Sequence, residues 1–102
     1  MFLLCSPDNP TGVVFAKEEL LRLVAWCRRK NIILVSDEIY GASVFDDKRP
    51  FFSLRDHADV TIWGLSKDFG ASGFRVGAVH SKNKAILEAY DRMMLWFMAS
   101  AT

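Results

Sequence analysis

The feature that most limits how this chain can fold is Ile32-Ile33-Leu34-Val35, an apolar and mostly β-branched run with no polar residue interrupting it. A strand with one wet face alternates polar and apolar residues. An unbroken run suits a strand covered on both faces, the condition of a parallel sheet. The run stops at Ser36-Asp37-Glu38, and Val60-Thr61-Ile62-Trp63 repeats the pattern before Gly64-Leu65-Ser66-Lys67. Phe2-Leu3-Leu4-Cys5 is a shorter version, ended by the turn-forming stretch Ser6-Pro7-Asp8-Asn9-Pro10-Thr11-Gly12. Two prolines, an asparagine and a glycine make that stretch a loop.

Between the first two runs, Lys17 to Lys30 predicts a helix, with Leu20, Leu21, Val24 and Cys27 on one stripe and Leu23 widening it. Glu18 and Glu19 fall in its first turn and Arg28, Arg29 and Lys30 in its last, the order that complements the helix dipole. Gly41 to His57 reads as irregular and polar, and Phe74 to His80 as extended. A final helix, capped by Ser81 or Asn83, carries Ile86, Leu87, Tyr90, Met94 and Phe97 on one face. This order of elements predicts an α/β fold, the central part of a mostly parallel sheet with flanking helices.

Composition narrows the function. Thirteen basic and twelve acidic residues leave a net charge of +1, which removes the electrostatic case for nucleic acid or an anionic membrane as partner. The apolar run from Met93 to Ala99 falls well short of the roughly 18 residues needed to span a bilayer. Met1 to Cys5 has no basic flank and does not read as a signal peptide. Cys5 and Cys27 are too few for a disulfide framework, and His57 and His80 stand far apart without neighbouring ligands, so no metal site is expected. The expectation is a soluble, cytoplasmic protein.

Three apolar strands each end in a polar cluster, Asp8-Asn9, Ser36-Asp37-Glu38 and Ser66-Lys67. In open α/β sheets ligands bind beyond the carboxyl ends of the strands. An acid, a lysine and an amide at matching ends therefore point to a site. Other sites are unsupported: Gly70, Gly73 and Gly77 do not form G-x-G-x-x-G, no P-loop lysine is present, and Gly70-Ala71-Ser72-Gly73 is not the G-x-S-x-G elbow.

The segment Ser66-Lys67-Asp68-Phe69-Gly70-Ala71-Ser72-Gly73-Phe74-Arg75-Val76-Gly77 resembles the lysine segment of class I/II aminotransferases, the fold type I enzymes that use pyridoxal 5′-phosphate (PLP). Residues 6–12 resemble that family's N-P-x-G loop, and Ser36-Asp37-Glu38-Ile39-Tyr40 resembles its D-E-x-Y strand end. Order and spacing agree over essentially the whole chain. Asp37 to Phe45 and Ser66 to Gly77 most resemble the aminocyclopropane-carboxylate synthase-like branch.

The resemblance implies a role for each matching residue. Lys67 would form the Schiff base with the cofactor aldehyde and then shuttle the substrate Cα proton, tasks suited to an amine whose pKa its surroundings lower. Asp37 would face the ring nitrogen and keep it protonated. Tyr40 and Asn9 would hydrogen-bond the phenolic oxygen, and Arg75 would clamp the phosphate with its planar fork. Many family members carry a hydroxyl residue three positions before the lysine, where it contacts the phosphate; Gly64 stands there instead.

Residues 1–102 are thus expected to be a partial PLP-binding large domain, from a parent that is a homodimer acting on α-amino acids. The arginine that usually holds the substrate carboxylate has no counterpart among them. Aminotransferase chemistry is the first expectation. An aminocyclopropane-carboxylate synthase-like lyase and a catalytically inactive truncated fragment are the alternatives.

Overall fold

A computed structural model describes residues 1–99, with side chains described through residue 95. The side chains of Trp96 and Phe97, the latter expected on the apolar face of the last helix, lie outside the described residues. The elements run β1 (Phe2–Cys5), α1 (Lys17–Arg29), β2 (Leu34–Asp37), β3 (Val60–Gly64), α2 (Leu65–Asp68), a 3₁₀ turn (Ser72–Phe74), β4 (Gly77–His80) and α3 (Lys84–Ala99). The strands form one four-stranded sheet in the order β1-β2-β3-β4. β1 and β2 are parallel, as are β2 and β3, while β4 runs antiparallel to β3.

Helix α1 forms where the apolar stripe predicts it, and buries Leu20, Val24 and Cys27 against Leu34 of β2 and Leu54 of the long connection. Ala16 has no side chain able to cap, so the carboxylate of Glu19 reaches back to accept the Ala16 N–H at 2.9 Å. That bond satisfies one of the donors a helix start leaves open. At the other end Asn31 adopts the left-handed conformation, with φ of 53°. Its N–H donates to Arg28 O at 3.1 Å and that of Ile32 to Cys27 O at 2.9 Å, the paired bonds of a Schellman stop. Asparagine tolerates this backbone better than most residues, which is why the helix ends one residue earlier than its charge pattern implies. In α3, Asn83 is the cap: its Oδ1 accepts the Ala85 N–H at 3.0 Å. Ser81 supports it by accepting the Asn83 N–H at 3.1 Å.

Strand β2 starts two residues later than the apolar run and continues through Asp37. Leu34 is buried against α1 and Ser36 is buried on the same face, whereas Val35 and Asp37 are only half-buried and Ile33 is 50% exposed. Among the described residues, then, β2 is covered fully on one face and partly on the other. Trp63, Phe51 and Phe52 are half-buried and Phe52 packs on the core, whereas Trp26 is exposed. No helix of the described residues is long and apolar enough to cross a membrane.

The connection from β2 to β3, residues 38–59, has no helix of its own. The Glu38 carboxylate organises it. Glu38 is 6% exposed, and its Oε1 accepts the Leu54 N–H at 2.7 Å and the Ser36 hydroxyl at 3.0 Å. Its Oε2 accepts the Ser53 hydroxyl at 2.7 Å. Ionised carboxylates accept strong, short bonds, and here those from Ser53 and Leu54 fold the connection back onto the strand end, seating Leu54 in the core.

Candidate cofactor site at the strand ends

The register brings the functional candidates to one end of the sheet. Cys5 pairs with Asp37 and Asp37 with Ile62, so β1, β2 and β3 finish side by side. Because β4 is antiparallel, its first residue, Gly77, lies against Gly64 at the end of β3. The segment carrying Arg75 therefore returns to the point where the segment carrying Lys67 departs. Leu65 N–H donates to Val76 O at 3.1 Å and locks the two together. A strand-to-strand antiparallel return, where sequence implied only an extended stretch from Phe74, is what places lysine and arginine segments together.

Asn9 sits in a tight loop whose ends are joined by Asp8 N–H to Val13 O at 2.9 Å and Gly12 N–H to Asp8 O at 2.8 Å. Gly12 has φ of 71°, a conformation that favours glycine, and the Thr11 hydroxyl bonds the Asp8 carboxylate across the turn. The Asn9 amide then faces Tyr40, with Nδ2 3.5 Å from the hydroxyl. These two side chains, from loops after β1 and β2, line a cleft of about 390 Å³ with Pro7, Ser43 and Phe45. Asp37 is half-buried at the end of β2, and its Oδ1 accepts the Ile39 N–H at 3.1 Å. Oδ2 has no donor among the described residues.

Lys67 is exposed on α2, and its ammonium makes no salt bridge among the described residues. Arg75 has φ of 52°, and its guanidinium donates to Ser72 O at 3.2 Å. Asn9 and Tyr40 are thus in contact. Asp37, Lys67 and Arg75 share the same sheet end but do not hydrogen-bond one another or line the cleft.

A side chain at position 64 would meet close neighbours. A Cβ there would stand 3.1 Å from Val76 O and 3.3 Å from Ile39 Cδ1. Any side chain would require the Val76 carbonyl and the Ile39 side chain to give by a few tenths of an ångström.

Two residues that the motif reading passed over shape the site. Glu38 holds the loop after Tyr40, as described above. Asp68, next to Lys67, accepts the Ala42 N–H at 2.9 Å, the Ser43 hydroxyl at 2.7 Å and the Trp63 indole N–H at 2.8 Å. Both acids were visible within D-E-x-Y and S-K-D, but nothing in their spacing told which donors they would meet.

Burial pushes the Asp68 carboxyl pKa up, but the bonds from Ser43, Trp63 and Ala42 outweigh it and hold the group below its ordinary value. A carboxylate stabilised in this way contributes to folding above its unfolded pKa, near 4, and the contribution is lost as pH falls through the lower folded value. Asp68→Asn is expected to flatten the acid limb of the stability curve. Urea midpoints between about pH 5 and pH 2 would read this, and parallel curves for the two proteins would count against it.

Comparison with known proteins agrees with this geometry. The model of the family described as "Aminotransferase class I and II" matches residues 1–102. A putative aminotransferase from Clostridium difficile 630, solved with PLP bound, superposes with a TM-score of 0.85 over 94% of this chain and 26% of its own, at 24% identity. An aspartate aminotransferase from Thermotoga maritima is 39% identical, with a TM-score of 0.70 over 80% of this chain and 23% of its own. In sequence, 1-aminocyclopropane-1-carboxylate synthase 7 of Arabidopsis thaliana is 38% identical, covering 97% of this chain and 24% of that protein. The human "Probable inactive 1-aminocyclopropane-1-carboxylate synthase-like protein 2" is 37% identical over 85% of the chain and 16% of its own length. The chain spans a quarter or less of the curated relatives named here.

The architecture is that of PLP-dependent aminotransferases, a mixed sheet with flanking helices. The chain belongs to the class I and II aminotransferase family.

Proposed function

We propose that this chain carries one wall of a pyridoxal phosphate site and serves aminotransferase-type chemistry on α-amino acids, within a homodimeric parent. The observation that carries the reading is the gathering of Asn9, Asp37, Tyr40, Lys67 and Arg75 at one sheet end, on the segments that follow β1, β2 and β3 and the one that leads into β4. The donor set fits the cofactor. Asp37 Oδ2 is free to accept a proton-bearing ring nitrogen, Asn9 and Tyr40 offer donors to a phenolate oxygen, and Arg75 offers a fork to a phosphate.

When bound, pyridoxal phosphate supplies a protonated ring that draws electrons from the substrate α-carbon. Asp37 keeps that ring proton in place. Tyr40 and Asn9 orient the ring through its oxygen. Lys67 would hold the cofactor through its amine, and the same amine would hold or move a proton at the substrate Cα. Arg75 would turn from Ser72 O to the phosphate, since its present bond is one that an anion easily replaces.

The test is direct. Pyridoxal phosphate added to the intact protein should produce a visible absorption band that borohydride fixes covalently to Lys67, and Lys67→Ala should produce none. A wild-type protein without the band would favour an inactive member, a reading to which the human relative lends weight. A second active reading is a lyase forming a cyclopropane amino acid, favoured by the likeness to an aminocyclopropane-carboxylate synthase across nearly the whole chain. Keto-acid release against cyclopropane product separates the two.

A further inference from the structure

Helix α2 is four residues long and buries none of them. One isolated turn has no stability of its own, because nucleation costs more than its few hydrogen bonds return. Something outside the helix must fix where Lys67 stands. The backbone supplies Leu65 N–H to Val76 O at 3.1 Å and Ala71 N–H to Leu65 O at 3.2 Å, both at the Leu65 end. The Asp68 end is held by the carboxylate of Asp68 itself, bonded to Trp63 on β3 and to Ala42 and Ser43, two and three residues beyond Tyr40. The Trp63 ring also meets Phe69 edge-on, with centroids 6.0 Å apart.

We propose that Asp68 is a positioning residue that ties the Lys67 helix to the loop of Tyr40 and so fixes the lysine amine relative to the tyrosine hydroxyl. The proposal rests on the cofactor reading above and extends it to a residue that need not touch the cofactor. The geometry also says what can replace Asp68. Asparagine keeps one oxygen for Ala42 and Trp63, while its amide can donate to the Ser43 hydroxyl, which accepts as readily as it donates. Alanine loses all three bonds.

The test uses the intact protein in two states. Without cofactor, hydrogen exchange of the Ala42 amide should speed up by about tenfold or more in Asp68→Ala and stay within about threefold of wild type in Asp68→Asn. With pyridoxal phosphate added, capture of the cofactor on Lys67, followed by borohydride reduction and mass spectrometry, should slow about tenfold in Asp68→Ala and recover to within about threefold in Asp68→Asn. If exchange at Ala42 does not change, the tether is absent and the proposal fails. If exchange changes but capture does not, Asp68 is merely structural and the proposal also fails.

Should Asp68→Ala not fold, Ser43→Ala and Trp63→Phe each remove one arm, and each should slow capture by about threefold. Unchanged capture in both would overturn the proposal. A wild type that captures no cofactor overturns the cofactor reading itself and this proposal with it. That outcome is distinct from a wild type that captures normally while the Asp68 variants match it.

Discussion

Lys67→Ala in the intact protein is expected to lower turnover of an α-amino acid by on the order of 10²–10⁴-fold, the usual contribution of a positioned acid–base group. The reason lies in placement. Lys67 is exposed, three residues past the end of β3, at the sheet end where Asp37 and Tyr40 also stand. On the proposed reading the Lys67 amine would take a proton from a substrate carbon and give it back. Lys67→Arg should not restore the rate, because a guanidinium stays protonated at any working pH and cannot act as a base. Initial rates of keto-acid release, measured with saturating pyridoxal phosphate, read the effect. A loss smaller than about tenfold, near 1.4 kcal/mol of barrier, would put the base elsewhere.

Glu38→Ala is expected to cost about 3–5 kcal/mol of stability, a large share of the 5–15 kcal/mol typical of a folded domain. The substitution leaves the Leu54 N–H and the Ser36 and Ser53 hydroxyls without their shared acceptor, in a site where Glu38 is only 6% exposed. An abandoned buried N–H costs its full desolvation, and the two hydroxyls recover only part of their bonding by rotating. Leu54 would also lose the bond that seats it in the core. Glu38→Gln keeps an acceptor for Leu54 and offers its amide to Ser53, so its cost should stay near 1–2 kcal/mol. Urea denaturation midpoints measure both. An alanine variant within about 1 kcal/mol of wild type would mean that the connection over residues 38–59 is held by its apolar contacts alone.

The elements differ in how plainly the sequence announced them. Helix α1 was legible throughout, because a stripe of Leu20, Val24 and Cys27 and the charge order from Glu18 to Arg29 are local patterns. Its last residue was not, since Asn31 in the left-handed conformation stops the helix through two bonds that charge does not encode. The unbroken run at residues 32–35 correctly indicated a parallel strand but placed it two residues early and over-predicted its burial. Apolarity records where a chain prefers to be buried. Which residues pair is decided by the register with β1 and β3.

The candidate site shows the same division. Asn9, Asp37, Tyr40, Lys67 and Arg75 stood out from motif and position alone, and the family match covers the stretch that holds them all. Their juxtaposition did not stand out. It depends on the parallel register of Cys5, Asp37 and Ile62 and on the antiparallel return of Gly77 to Gly64. Glu38 and Asp68 escaped notice because their meaning lies in donors fifteen or more residues away, at Ser53, Leu54, Ala42 and Ser43.

By itself, the sequence determined the α/β class and the family and pointed to candidate site residues, since these follow from local periodicity and short motifs. Only the tertiary structure decided that lysine and arginine segments meet at one sheet end, that a side chain at Gly64 would press on Val76 and Ile39, and that the carboxylates of Glu38 and Asp68 hold the connecting loops. Those outcomes rest on hydrogen bonds and close contacts between residues far apart in the chain, and local pattern carries no record of such distances.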